Sequence, residues 1–254
     1  MNVRGSSINP PNRFIPLNYV PDPDCPPGDA PAPRTQFYVD HSRSIIATND
    51  SPDIGFTHSV NPYRGCEHGC AYCYARPYHE YLGFSAGVDF ETKIMVKEDA
   101  PELLRKEFLS PKWQPTTLSF SGITDSYQPI ERSLKVTRRC LEVCREFRNP
   151  VGIITKNALV ARDIDILGEL AAIRAACVLL SVTSLAADLT GVLEPRTTRP
   201  HGRLAAISKL RAAGIPVGVM AAPMIPGLND HELPAILAAA KEAGAQFAGY
   251  TVVR

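Results

Sequence analysis

The chain has 254 residues, 44% of them hydrophobic and 21% charged, with 27 Lys and Arg against 26 Asp and Glu. That length makes one large domain or two small ones, and the composition excludes collagen, a coiled coil or a wholly disordered chain. A net charge of +1 supplies no basic field for nucleic acid at the level of the whole chain.

Nine of the 23 prolines fall in residues 1–33. Residues 1–50 therefore read as an irregular leader, because each proline removes a backbone donor and restricts the residue before it. The opening MNVRGSSINPPNR lacks the apolar segment of a signal peptide. Seven cysteines are an odd number, so a reduced, cytoplasmic setting is expected, with thiols used for metal or catalysis rather than disulfides. The longest apolar stretch, 214–228, holds three prolines and is too short to span a bilayer, so no membrane association is expected.

Beyond the leader, apolar β-rich runs lie near 54–60, 116–121, 150–155, 177–183, 216–220 and 247–253. Helical periodicity fills 130–147, 164–173, 204–211 and 230–243, the last two closed by Gly214 and Gly244. Strands separated by about 30 residues with a helix between them are βα units, and continuous rather than alternating apolar strands suit a parallel sheet buried on both faces. The expectation is an α/β chain: a partial (β/α)6 TIM-like barrel over 51–254, with an inserted segment at 92–97. A parallel strand ending the chain without a covering helix leads us to expect a further C-terminal region.

Cys140 and Cys144 share helical spacing with Val136, Val143 and Phe147 and read as core. Cys177 reads as packing in a strand. Arg132, Lys135, Arg138 and Arg139 read as a solvated helix face, the alternative being a local nucleic-acid groove.

The strongest chemical signal is Cys66-Glu67-His68-Gly69-Cys70-Ala71-Tyr72-Cys73, a C-x3-C-x2-C placed just after the first barrel strand. Soft thiolates select zinc or iron–sulfur clusters over hard cations. A structural zinc would need a fourth ligand from His68 or a distant cysteine. Three cysteines can instead hold three irons of a [4Fe–4S] cluster and leave the fourth iron open. Gly65 and Gly69 suit a loop that needs permissive backbone angles and close approach.

This C-x3-C-x2-C, with an aromatic before its last cysteine, resembles the signature of the radical S-adenosylmethionine (SAM) superfamily. The surrounding Asn61-Pro62-Tyr63-Arg64-Gly65 and Tyr74-Ala75-Arg76, with Thr124-Asp125-Ser126-Tyr127-Gln128-Pro129-Ile130-Glu131, is similar to the subgroup related to spore photoproduct lyase. The resemblance covers about residues 54–254. It implies cluster ligation by Cys66, Cys70 and Cys73, and SAM bound on the open iron by its amino and carboxylate groups. One electron then cleaves the sulfonium to methionine and a 5′-deoxyadenosyl radical, which takes hydrogen from a substrate the sequence leaves unknown.

The resemblance also implies roles for further residues. Tyr72 lies near the adenine; Ser121, Thr124 or Asp125 receives the SAM amino group; Lys156 pairs with its carboxylate, with Arg196 as a second candidate. Ser181 and Thr183 reach the ribose, and the backbone of Ala222-Pro223-Met224-Ile225-Pro226-Gly227 reads the adenine. Core packing is the alternative for Tyr72, helix capping for Asp125, and surface charge for Lys156 and Arg196. The implied partners are a one-electron donor of flavodoxin or ferredoxin type and the substrate. A DNA photoproduct is one candidate substrate class, and a non-catalytic cluster or metal module is the remaining alternative.

Overall fold

All six expected runs form strands in the computed structural model, which describes residues 4–16, 33–51, 55–120 and 122–253. The leader is not irregular throughout, for it contributes β1 (Gln36–Val39) and β2 (Ile46–Thr48). The first barrel strand, β3 (His58–Val60), is followed by the short β4 (Tyr63–Arg64) and by α1 (Val88–Thr92). The expected insertion is β5 (Lys93–Val96), which pairs with β1 and β4 in a separate three-stranded sheet. After α2 (Ala100–Phe108) come β6 (Leu118–Phe120), α3 (Glu131–Leu134), α4 (Val136–Glu146), β7 (Val151–Thr155) and α5 (Ile164–Ala172). The chain continues through β8 (Ala176–Ser181), α6 (Ala187–Leu193), α7 (Pro200–Ala212), β9 (Val217–Met224), α8 (Leu233–Glu242) and β10 (Phe247–Val252).

The main sheet has the order β10-β9-β8-β7-β6-β3-β2. Every neighbouring pair is parallel except β2 on β3. Successive βα units therefore lay six parallel strands side by side, a partial TIM-like barrel in which all six carboxyl ends share one rim. Leu118, Phe120, Ile153, Val178, Leu180, Val217 and Val219 are buried along the strands, and Leu141, Ile166, Leu167, Leu170, Ile207 and Leu210 bury the helix faces. Cys140 and Cys144 are fully buried in that core, as their spacing predicts. β10 forms one edge of the sheet, with Tyr250 and Val252 exposed. Among the described residues no helix is long and apolar enough to cross a membrane.

The expected single helix over 130–147 is two. Lys135 adopts φ 54°, and the chain restarts as α4. The buried Glu131 carboxylate accepts hydrogen bonds from the Thr137 and Arg138 amides, capping two donors that the first turn of α4 leaves free. Of Arg132, Lys135, Arg138 and Arg139, the first two are exposed, whereas the other two are engaged. Arg138 is bound to Asp163, Asp165 and Glu142, and Arg139 donates to the Glu98 carbonyl.

Candidate functional site

The cysteine loop leaves the carboxyl end of β3 and doubles back on itself. Gly69 N–H donates to the Cys66 carbonyl at 3.4 Å, Cys73 N–H to Cys70 at 3.3 Å and Arg76 N–H to Cys73 at 3.4 Å. The loop enters and leaves the first of these turns in left-handed backbone at Gly65 (φ 76°) and Gly69 (φ 65°), which glycine permits. A Cβ at Gly65 would also stand 2.9 Å from the Phe90 carbonyl oxygen, so glycine is required there by close approach as well.

Cys66 and Cys70 are buried, Cys73 is half-buried, and all three are free thiols. Cys66 and Cys73 share a small apolar cluster with Ala75, Phe90 and Ile123. Burial pushes all three thiols up; Asp125 and the neighbouring thiols push Cys66 further, while Glu194 raises Cys70 against the opposing Lys156. Thiolates here need a positively charged group to ionise them, which is what a metal centre provides.

His68 is buried and its two ring nitrogens face Asp125 and Asn157, 3.4 and 3.2 Å away. It is engaged by the protein and is not a fourth ligand. Among the described residues no three His, Cys, Asp or Glu side chains converge on a single ion. Among the described residues the three thiols are one donor short of the closed four-ligand shell of a structural zinc; three soft donors are the set that a cluster with an open iron would take.

The 124–131 segment holds this loop from below. Gln128, fully buried, donates its amide to the Gly65 carbonyl at 3.2 Å and accepts from the Glu67 N–H at 2.9 Å. Thr124 Oγ1 donates to the Tyr63 carbonyl, and Tyr63 O–H donates to Glu131 at 2.5 Å. Glu67, fastened by the Ile130 N–H, holds Arg196 at 3.0 Å. Asp125 accepts from Thr155 Oγ1, Lys156 N–H and Tyr127 N–H at 2.7–2.8 Å. Burial opposes the Asp125 charge, but the His68 ring and these donors outweigh it and hold the carboxyl at about 2.

Thr124, Asp125 and Arg196 thus each have partners within the protein. Ser121 lies outside the described residues. Removing the Gln128 side chain leaves two buried backbone groups unpaired, so Gln128→Ala should lose about 2 kcal/mol of stability; an unchanged denaturant midpoint would contradict the clamp.

A second group gathers beside Cys70. Tyr72 O–H donates to Glu194 and lies 3.3 Å from Thr183 Oγ1; Thr183 in turn donates to the Ala222 carbonyl at 3.0 Å. Lys156 Nζ donates to the same carbonyl at 3.1 Å, stands 3.8 Å from Glu194 and lies over the Tyr72 ring at 5.8 Å. The sequence expectations for Tyr72, Lys156 and Thr183 thus meet in one place, at the ends of β7, β8 and β9. Ser181 is buried behind them, its carbonyl accepting from Arg203 at 2.8 Å.

The residues that organise this group were missed in the sequence. Glu194 is paired with Arg203 and both are fully buried or nearly so. Burial opposes the Glu194 charge, yet Lys156 and Arg203 hold its carboxyl at about 2. Arg203 is legible in retrospect, since it shares helical spacing with Ala206, Ile207 and Leu210 on the buried face of α7. A charge inside an apolar stripe announces a buried partner.

The Radical SAM superfamily matches residues 60–240, which includes both groups. An uncharacterized protein of Mycobacterium tuberculosis is 37% identical over 177 residues, covering 70% of this chain and 52% of that protein. The chain therefore spans about half the length of that relative. A spore photoproduct lyase variant solved with a dinucleoside spore photoproduct has the same fold, with a TM-score of 0.61 at 20% identity over 85% of this chain and 60% of that one. Another variant, solved with AdoMet and the same dinucleoside, gives a TM-score of 0.59 at 20% identity over 85% and 61%. The cysteine triad at the first strand end, the parallel half-barrel and the match across its length agree, and the chain belongs to the radical SAM superfamily.

Proposed function

We propose that the chain is the core of an enzyme that holds a [4Fe–4S] cluster on Cys66, Cys70 and Cys73 and cleaves SAM reductively. One observation carries this reading. Three free, desolvated thiols sit on a glycine-hinged loop at the barrel rim, directly beside the Lys156, Tyr72 and Thr183 group and with no fourth side-chain ligand among the described residues.

When bound, the cluster supplies one electron to the sulfonium, giving methionine and a 5′-deoxyadenosyl radical that takes hydrogen from the substrate. The chain's own residues bind and orient. Lys156 offers a cation for the SAM carboxylate, and Asp125, by accepting its backbone N–H, fixes where that lysine starts. Thr183 offers a hydroxyl to the ribose, with Ser181 behind it. Tyr72 forms a wall toward the adenine, and the backbone of 222–227 is held for adenine by Asn229, which bridges the Thr183 and Pro223 carbonyls and accepts from the Ile225 N–H. Thr124 and Arg196 serve by fastening the loop, and Ser121 remains a candidate for the SAM amino group. Buried side chains around the triad exclude water from the reacting sulfonium.

The electron comes from a flavodoxin- or ferredoxin-type donor. A photoproduct in DNA is a second reading for the substrate, supported by the dinucleoside that the structural neighbour binds. The helix-face arginines do not favour it, since Arg138 is neutralised by three carboxylates. Salt-dependent DNA affinity tests this second reading.

The test is anaerobic incubation of the reduced, iron-loaded protein with SAM. Methionine and 5′-deoxyadenosine in equal amounts are expected; SAM left intact would overturn the proposal.

A further inference from the structure

Residues 4–14 carry neither strand nor helix, yet they are bound along their length to the segment 80–91. Asn12 donates to the Glu80 and Phe84 carbonyls, at 2.9 and 2.8 Å. Asn9 exchanges two hydrogen bonds with Asp89, one to its carboxylate and one from its backbone N–H. The Ile8 carbonyl accepts from the Val88 N–H at 3.1 Å. These anchors would suffice for a surface wrap.

The end nearest the cysteines does more. Gly5 N–H donates to one oxygen of Glu91 at 3.0 Å, and the other oxygen of this fully buried carboxylate holds Arg76 at 2.6 Å. Arg76 then donates from two nitrogens to the Cys70 carbonyl, at 3.2 and 2.9 Å. Arg4 donates to the Glu91 carbonyl at 3.0 Å. The approach of the two backbones is so close that a Cβ on Gly5 would fall 1.7 Å from the Gly69 carbonyl oxygen. Gly5 thus lies on the peptide that joins Gly69 to Cys70.

We infer that residues 4–14 are a strap that positions the cluster loop. Gly5 and Arg4 set the Gly69–Cys70 peptide through Glu91 and Arg76, and so fix the direction in which Cys70 presents its sulfur. The same contact closes that side of the loop to solvent and oxygen. Gly5 and Arg4 are positioning residues, since they act through Glu91 and the Gly69 carbonyl. The inference rests on reading the triad as a cluster site.

The test uses the full chain, reconstituted anaerobically with iron and sulfide, as wild type, Gly5→Ala and Arg4→Ala. Iron per chain and the rate at which the cluster's visible absorbance bleaches in air are measured, with circular dichroism to follow the fold. Alanine at position 5 collides with backbone and must lift the strap. Bleaching should then be about tenfold faster, the factor that accompanies loss of one charge-assisted hydrogen bond, with an unchanged dichroism spectrum. Arg4→Ala adds no atom and should accelerate bleaching in the same direction by a smaller factor. It carries the test alone if Gly5→Ala does not fold. Wild-type iron content and bleaching rate in the folded variants would overturn the inference. Wild-type protein that takes up no iron would overturn the cluster reading, and this inference with it.

Discussion

Cys70→Ala is expected to abolish iron–sulfur loading and SAM cleavage while leaving the half-barrel folded. The sulfur is one of three donors, and a [4Fe–4S] cluster held by two thiolates loses both its site and its open-iron geometry. The barrel does not depend on that side chain. Its core runs through Leu118, Phe120, Ile153, Val178 and Val219 with the faces of α4, α5 and α7, whereas Cys70 sits outside that cluster on the rim. Iron analysis and product assay should read zero against a near-wild-type dichroism spectrum. Retained 5′-deoxyadenosine formation would contradict the ligand assignment.

The second large effect is expected at Glu194, a residue outside the cysteine motif. Its removal leaves Arg203 buried without its counter-charge, and breaking one side of such a pair costs about 3–5 kcal/mol. It also frees three groups at once: Tyr72, Thr183 and Lys156 all lose the carboxylate they face. Glu194→Ala should therefore lower stability by that amount and raise the KM for SAM in the protein that folds. Glu194→Gln keeps shape and hydrogen bonding but not charge, so it should recover part of the stability and little of the SAM affinity. The two readouts separate a site role from a packing role. A Glu194→Ala protein with wild-type denaturant midpoint would contradict the buried-pair account, and an unchanged KM would contradict the site role.

The contrast between these two residues shows what the sequence made legible. Cys66, Cys70 and Cys73 are close in the chain, and their spacing carries the chemistry directly. The six strands were legible for the same local reason: continuous apolar runs such as Val151–Thr155 and helix stops such as Gly214 and Gly244 each announce themselves within a few residues. Gly65 and Gly69 were read correctly because a positive φ is a property of one residue.

The rest depends on partners far away in the chain. Glu131 breaks the expected 130–147 helix because its carboxylate caps α4 while accepting from Tyr63, 68 residues earlier. Thr124 and Asp125 are bonded to Tyr63, Thr155 and Lys156, contacts that no periodicity encodes. β1 was hidden in a proline-rich leader because all four of its residues are exposed, so it lacks the alternation that marks a half-buried strand. Arg203 was the exception, a charge visible within the apolar stripe of its own helix.

The central claim is that this loop holds a cluster with an open iron. The most direct measurement is anaerobic reconstitution followed by metal analysis and EPR of the reduced protein with and without SAM. The account predicts about four irons per chain, as a [4Fe–4S] centre requires, and a reduced-cluster signal that changes when SAM is added. Stoichiometric tetrahedral zinc, or a cluster signal indifferent to SAM, would contradict it.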